Sequence, residues 1–176
     1  EGTMHGLIHV YCGDGKGKTT AALGLGLRAA GAGYTVIIAQ FLKSSETSEL
    51  NLLDRLGITV LRVEESFGFT WELSSGELER LTLRHNELFR QAIERCGDGE
   101  RKLLILDELA AAISTGTIDE AMVSWALQHK PEALELVVTG REPPQWLTNM
   151  ADYITEMRGL RHPMEQGIAA RRGIEF

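Results

Sequence analysis

Apolar and polar positions alternate in blocks along this chain, and the blocks change period. Leu7 to Cys12 is a short run rich in strand-forming residues. It gives way to small and charged residues and then to a helical stretch from about Thr19 to Ala30, stopped by Gly31-Ala32-Gly33. Tyr34–Phe41, Thr59–Val63, Leu103–Glu108, Leu134–Thr139 and Asp152–Met157 read as further strands. Between them fall a Ser/Glu-rich loop (Ser44 to Glu49), a short helix over Asn51 to Leu56 and a long helix opened by the Ser74/Glu77 capping box. On that long helix Leu78, Leu81, His85, Leu88, Phe89, Ala92 and Ile93 recur at helical spacing, and Gly97-Asp98-Gly99 ends it. Leu109 to Ile113 follows as a helix. A second capping box, Thr117 and Glu120, predicts a helix to about Gln128, and Pro143-Pro144 starts a short one. The tail from Arg161 to Phe176 reads as polar and irregular, with Arg171 and Arg172 as surface charges. Strands alternating with helices predict a three-layer α/β domain with a mostly parallel sheet of about six strands.

The apolar runs are continuous rather than alternating, as in strands buried on both faces. With 176 residues, 43% hydrophobic and 24% charged, one domain over 4–176 can close a core, and residues 1–3 ahead of Met4 read as an appended remnant. A net charge of −7 argues against a general nucleic-acid surface. Cys12 and Cys96 lack metal-type spacing and read as reduced thiols of a cytoplasmic protein. No run approaches the ~20 apolar residues that span a bilayer, so no membrane partner is expected.

Chemistry concentrates between the first strand and the first helix. Gly13, Asp14, Gly15, Lys16, Gly17, Lys18, Thr19 and Thr20 form a glycine-rich loop in a strand–loop–helix setting, the arrangement that cradles nucleotide phosphates. The glycines let backbone N–H groups turn toward an anion. Lys18 supplies a cation and the Thr19 hydroxyl a Mg²⁺ ligand. Cys12 stands where the usual loop has its first glycine, so this loop is one residue tighter. Asp107 and Glu108 close a buried strand, where acids can organise Mg²⁺, or else Asp107 caps the next helix. Arg141 leaves another strand end as a phosphate contact or an exposed loop arginine. Arg28 reads as a solvated helix residue on spacing alone. His85 reads as a core or rim histidine. Phe67, Phe69 and Trp71 form an aromatic cluster that either packs on the core or walls a large flat ligand.

Several motifs occur together and in one order: G-D-G-K-G-K-T-T-A-A from Gly13, A-Q-F-L-K over Ala39–Lys43, G-F-T-W-E over Gly68–Glu72, L-D-E-L over Leu106–Leu109, T-G-R over Thr139–Arg141 and the closing G-I-E-F. This set resembles the ATP:corrinoid adenosyltransferases of the CobA/BtuR type across nearly the whole chain. The resemblance implies a P-loop NTPase (RecA-like) fold. It implies transfer of the 5′-deoxyadenosyl group of ATP to the Co(I) of a corrinoid, cobalamin or a cobinamide-type precursor, with release of inorganic triphosphate. By resemblance, Lys18, Thr19, Glu108 and Arg141 serve catalysis, Arg28 joins the ATP contacts, and Mg²⁺ meets Thr19, Asp107 and Glu108. Phe69 and Trp71 would form a wedge under the corrin that strips an axial ligand from Co(II). A homodimer and a flavin-type reductase as electron donor are expected too. The sequence departs from the family at Asp14, where Asn is usual, and little chain precedes the first strand, whereas longer members carry an N-terminal arm. A P-loop ATPase or kinase cleaving the terminal phosphate, and an ATP-switched protein-binding module, are the rival readings.

Overall fold

The structure is a computed structural model that describes residues 5–42, 49–99 and 101–175. Residues 1–4, 43–48, 100 and 176 lie outside the described residues, and with them all of the predicted Ser44–Glu49 loop but Glu49.

Six strands form one sheet: β1 (Ile8–Cys12), β2 (Thr35–Gln40), β3 (Thr59–Arg62), β4 (Lys102–Asp107), β5 (Leu134–Thr139) and β6 (Tyr153–Glu156). Their order is β3-β2-β4-β5-β1-β6, and every pairing is parallel. Parallel neighbours need crossovers, and six helices supply them: α1 (Lys18–Gly31), α2 (Leu50–Arg55), α3 (Ser75–Cys96), α4 (Leu109–Ser114), α5 (Glu120–Gln128) and α6 (Gln145–Met150). Successive strand residues serve opposite faces. Ile37, Ala39, Leu104, Leu106, Leu136 and Val138 pack with Leu88 and Phe89 of α3. Val36, Ile38, Leu103, Ile105 and Val137 pack on the other side with Ala22 and Leu53. Two cores on one sheet explain the unbroken apolar runs. Leu106 is fully buried, so truncating it to alanine costs about 2–5 kcal/mol.

The strands all point their carboxyl ends the same way, which gathers the β1–α1 loop and the ends of β2, β4 and β5 on one rim. β4 ends at Asp107; Glu108 turns out of the strand at φ 62° and is the N-cap of α4. The predicted Thr117/Glu120 box is not what opens α5. Asp119 caps it, accepting the Met122 N–H at 3.1 Å, while Thr117 is buried and donates its hydroxyl to the Ala112 carbonyl. A short polar side chain one residue before the helix reaches its free amides, and Thr117 lies too far upstream. The Ser74/Glu77 box is present in full. The tail departs from its polar reading: Leu160, Met164, Ile168 and Ile174 are exposed apolar residues around a 3₁₀ turn at Pro163–Gln166. Arg171 does lie at the surface, paired with Glu175 at 3.0 Å. No helix among the described residues is long and apolar enough to cross a membrane.

Candidate functional site

The loop after β1 is held from outside before it can hold anything inside. Gly13 has φ 99°, and a Cβ there would lie 2.3 Å from the Met157 carbonyl oxygen, so only glycine fits. Its N–H donates to the Arg141 carbonyl at 3.0 Å, and the Gly15 N–H donates to the Met157 carbonyl at 2.7 Å. These two amides therefore do not face the phosphate position, contrary to the sequence expectation. The chain after β5 uses the first and the chain after β6 the second to brace the loop. Gly17, at φ 113°, then turns the backbone into α1. The amides of Gly17, Lys18, Thr19 and Thr20 open that helix without intrahelical acceptors, and the helix dipole adds positive potential there. A helix start of this kind favours an anion. Lys18 folds its ammonium back onto the Gly15 carbonyl at 2.8 Å, a contact that an incoming phosphate can replace. Lys16 and Thr20 are exposed at the rim.

Asp14 points away from the loop interior and accepts the Gly159 N–H at 2.9 Å. That hydrogen bond, with smaller help from Arg141 and Arg158, holds its carboxyl below the usual range. It remains an exposed negative charge three residues before Gly17, the N-cap of α1.

Behind the loop, Asp107 is only 1% exposed. One carboxylate oxygen accepts the Thr19 hydroxyl and the Thr139 hydroxyl, each at 2.8 Å. Thr139 in turn accepts the Glu108 N–H at 2.9 Å, which fixes the unusual turn at that residue. Asp107 is thus no helix cap. It ties the helix bearing the loop to β4 and β5. No group of three or more His, Cys, Asp or Glu side chains is placed to hold a metal ion among the described residues. A hydroxyl and a carboxylate at hydrogen-bonding distance fit Mg²⁺, which takes few protein ligands and completes its octahedron with water and phosphate oxygens.

Arg141 follows Gly140 at the end of β5 and is exposed next to the loop, which its backbone braces. Arg28 does not join it. It lies exposed in the last turn of α1, ten residues past Lys18 or about 15 Å of helix. Its charge reaches the Tyr11 hydroxyl and opposes the rise in pKa that burial and Glu135 impose there. Sequence reasoning missed Thr139 and the Met157–Gly159 strap. The T-G-R motif carried the first signal; the second is a contact between distant segments.

Two rings of the aromatic segment do not pack into the core. Phe69 is 63% exposed and Trp71 77%, and their rings stack at 4.6 Å between centroids with 9° between planes. Phe67 is half-buried beneath the Arg80 guanidinium. Together with Gln40, Leu42, Val63 and His85 they line a cavity of about 500 Å³ beside the rim. His85 is 1% exposed. It donates from Nδ1 to the Thr117 carbonyl at 2.8 Å and accepts the Leu42 N–H at Nε2, 3.4 Å away. Burial pushes its imidazole below the ordinary value. It is a neutral core histidine at the cavity floor, as its place on the α3 stripe suggests.

The carboxyl ends of the strands thus carry the glycine-rich turn into α1 with Lys18 and, at the end of β2, a cavity lined by exposed aromatic side chains. A family model described as ATP:corrinoid adenosyltransferase BtuR/CobO/CobP matches residues 4–176. Among similar proteins, the corrinoid adenosyltransferase of Escherichia coli K12 is 32% identical over 97% of this chain and 86% of its own length. The one from Pseudomonas aeruginosa is 33% identical over 97% of this chain and 84% of its own. Corrinoid adenosyltransferase CobA of Salmonella typhimurium is 31% identical over 97% and 86%.

Proposed function

The chain belongs to the ATP:corrinoid adenosyltransferases of the BtuR/CobO/CobP family and adenosylates corrinoids with ATP, and from that premise we propose how its residues share the work. The loop grips the triphosphate: the open amides of the first turn of α1, Lys18 and Arg141 meet its negative charge. A reduced cobalt then attacks C5′ of the ribose with its electron pair. The Co–C bond forms as the C5′–O5′ bond breaks, and that bond's electrons leave with the triphosphate. Cations and amides already aimed at the departing oxygen lower the barrier without rearranging, the term that is often largest in catalysis. No protein base is required, because nothing is deprotonated.

Thr19, with Glu108 and with Asp107 directly or through water, would hold Mg²⁺, which when bound neutralises part of the triphosphate charge. The hydrogen bond from Thr19 to Asp107 supports this reading. Arg28 enters the proposal only through its long-range charge. Phe69 and Trp71 are the floor for the corrin. An apolar wall disfavours an axial water on cobalt, and the axial environment of a metal sets its potential.

The observation that carries the division is the stacked, exposed aromatic pair, which lines a cavity with Gln40 at the carboxyl end of β2, on the sheet whose β1 leads into the phosphate loop. Product analysis tests it. With ATP and reduced cobalamin the enzyme releases inorganic triphosphate, and without corrinoid it releases none. ADP and phosphate formed in the absence of corrinoid would make it a hydrolase or kinase, and slow turnover requiring a protein partner would make it a switch. A cytoplasmic setting and a flavin-type reductase as electron donor belong to the same proposal, because Co(I) needs a steady reductant. So does a homodimer, for which the exposed Tyr153 and Ile154 of edge strand β6 and the apolar tail offer a surface. Sedimentation giving the mass of a single chain would count against the dimer.

A further inference from the structure

Thr139 is fully buried at the end of β5, the strand between β4 and β1 in the sheet. Its single hydroxyl makes two contacts, and their roles are fixed. The Glu108 N–H can only donate, and it reaches the hydroxyl oxygen at 2.9 Å. The hydroxyl proton therefore goes to the Asp107 carboxylate, 2.8 Å away. The same carboxylate oxygen takes the Thr19 proton, also at 2.8 Å, which leaves the Thr19 lone pairs to point elsewhere. Gly140 makes the close approach of β5 possible, since a Cβ there would lie 2.5 Å from the Ala110 Cβ of α4.

The residue this hydroxyl holds is in a costly conformation. Glu108 has φ 62° and ψ 17°, the left-handed region that residues other than glycine seldom adopt. Strain of this kind persists only where the surroundings over-determine it, and it gathers at functional sites. In an extended strand Glu108 would follow Asp107 onto the opposite face of the sheet. The left-handed turn takes it out of that alternation, and the Thr139 hydroxyl anchors the turn by its amide. Asp107 and Glu108 thus meet at one buried hydroxyl directly, and Thr19 joins them through Asp107. Mg²⁺ demands near-ideal octahedral geometry, so small displacements of such a set cost affinity.

We propose that Thr139 positions the metal site: its hydroxyl fixes Asp107 and Glu108 relative to Thr19, and so sets how strongly Mg²⁺ tightens ATP binding. This rests on the reading of Thr19, Asp107 and Glu108 as the Mg²⁺ residues. Thr139 is a positioning residue, not a catalytic one, because it acts through Asp107 and Glu108.

The test replaces Thr139→Val, which keeps the shape and removes the hydroxyl. ATP binding to the full chain is measured by calorimetry without corrinoid, in graded Mg²⁺ and in excess EDTA. In T139V the Mg²⁺ concentration that half-saturates the gain in ATP affinity rises by about 10- to 100-fold, the usual cost of losing a group that orients metal ligands. Affinity in EDTA stays near wild type. T139S keeps the hydroxyl and keeps the Mg²⁺ response. T139A also lacks the hydroxyl and is read in the same way should T139V not fold. A wild-type Mg²⁺ response in T139V, equal losses of ATP affinity with and without Mg²⁺, a T139S protein as impaired as T139V, or failure of both T139V and T139A to fold would each overturn the proposal. Glu108→Gln, run alongside, separates the two levels. If E108Q loses the Mg²⁺ response and T139V does not, only the role of Thr139 fails. If neither loses it, or if wild-type protein binds ATP equally well in EDTA, the assignment of Mg²⁺ to these residues fails too.

Discussion

Replacing Trp71 by alanine separates what holds this protein together from what it does. Trp71 is 77% exposed, with one face stacked on Phe69 and the other open to solvent. An aromatic side chain of this size buries about 200 Å² when fully covered. A flat ligand lying on the open face covers roughly half of that. At about 25 cal/mol per Å² the contact is worth roughly 2.5 kcal/mol, or about a 70-fold change in corrinoid affinity. The fold loses far less, since the exposed stack contributes about 1 kcal/mol at most. The melting temperature of W71A therefore stays close to wild type while corrinoid binding weakens. Turnover should split further. When Co(I) is prepared chemically in advance, W71A keeps most of its triphosphate release at saturating corrinoid. When the reaction starts from Co(II) and a mild reductant, it is crippled, because the wall no longer excludes an axial ligand. The assay is triphosphate release in both regimes, with thermal unfolding as control. Equal losses in the two regimes, or a collapse of the fold, would refute the reasoning.

Lys18→Ala removes the mobile cation of the loop, whose ammonium now rests on the Gly15 carbonyl; adenosylation of every corrinoid should be abolished, whichever oxidation state is supplied. Asp14→Asn keeps an oxygen for the Gly159 N–H but removes a negative charge beside the triphosphate, so ATP should bind more tightly, most visibly at low salt; weaker binding would show that the charge helps. Burial holds the His85 imidazole below its ordinary 6.5. The unfolded chain takes up a proton that folded His85 refuses, so its contribution is full above that pH and declines as pH falls toward the folded value. Melting temperatures from about pH 7.5 to about pH 5.5 should fall, and His85→Gln should flatten that slope; a slope the substitution leaves unchanged would assign the effect to other groups.

Much of this was legible in the sequence because it depends on local order. Apolar runs of strand length, the Gly17-Lys18-Thr19 turn into α1 and the Ser74/Glu77 box each act within a few residues of themselves, and each stands where the pattern puts it. The parallel sheet followed from strands alternating with helices. The sequence could also bring Lys18, Asp107 and Arg141 to one rim, since parallel strands share a carboxyl end.

Tertiary structure decided whatever depends on partners distant in the chain. Two glycine amides that look free for phosphate are taken by Arg141 and Met157, on segments more than a hundred residues away. The helix at Glu120 has Asp119 as its cap because the preceding turn buries Thr117. Phe69 and Trp71 stand exposed, while the core between the sheet and α3 is filled by other side chains. That the Gln40 amide finds no partner among the described residues is likewise a property of the packed structure and not of its local sequence. Sequence order encodes local conformation through backbone sterics and periodicity, whereas burial and hydrogen-bond satisfaction are properties of the packed whole.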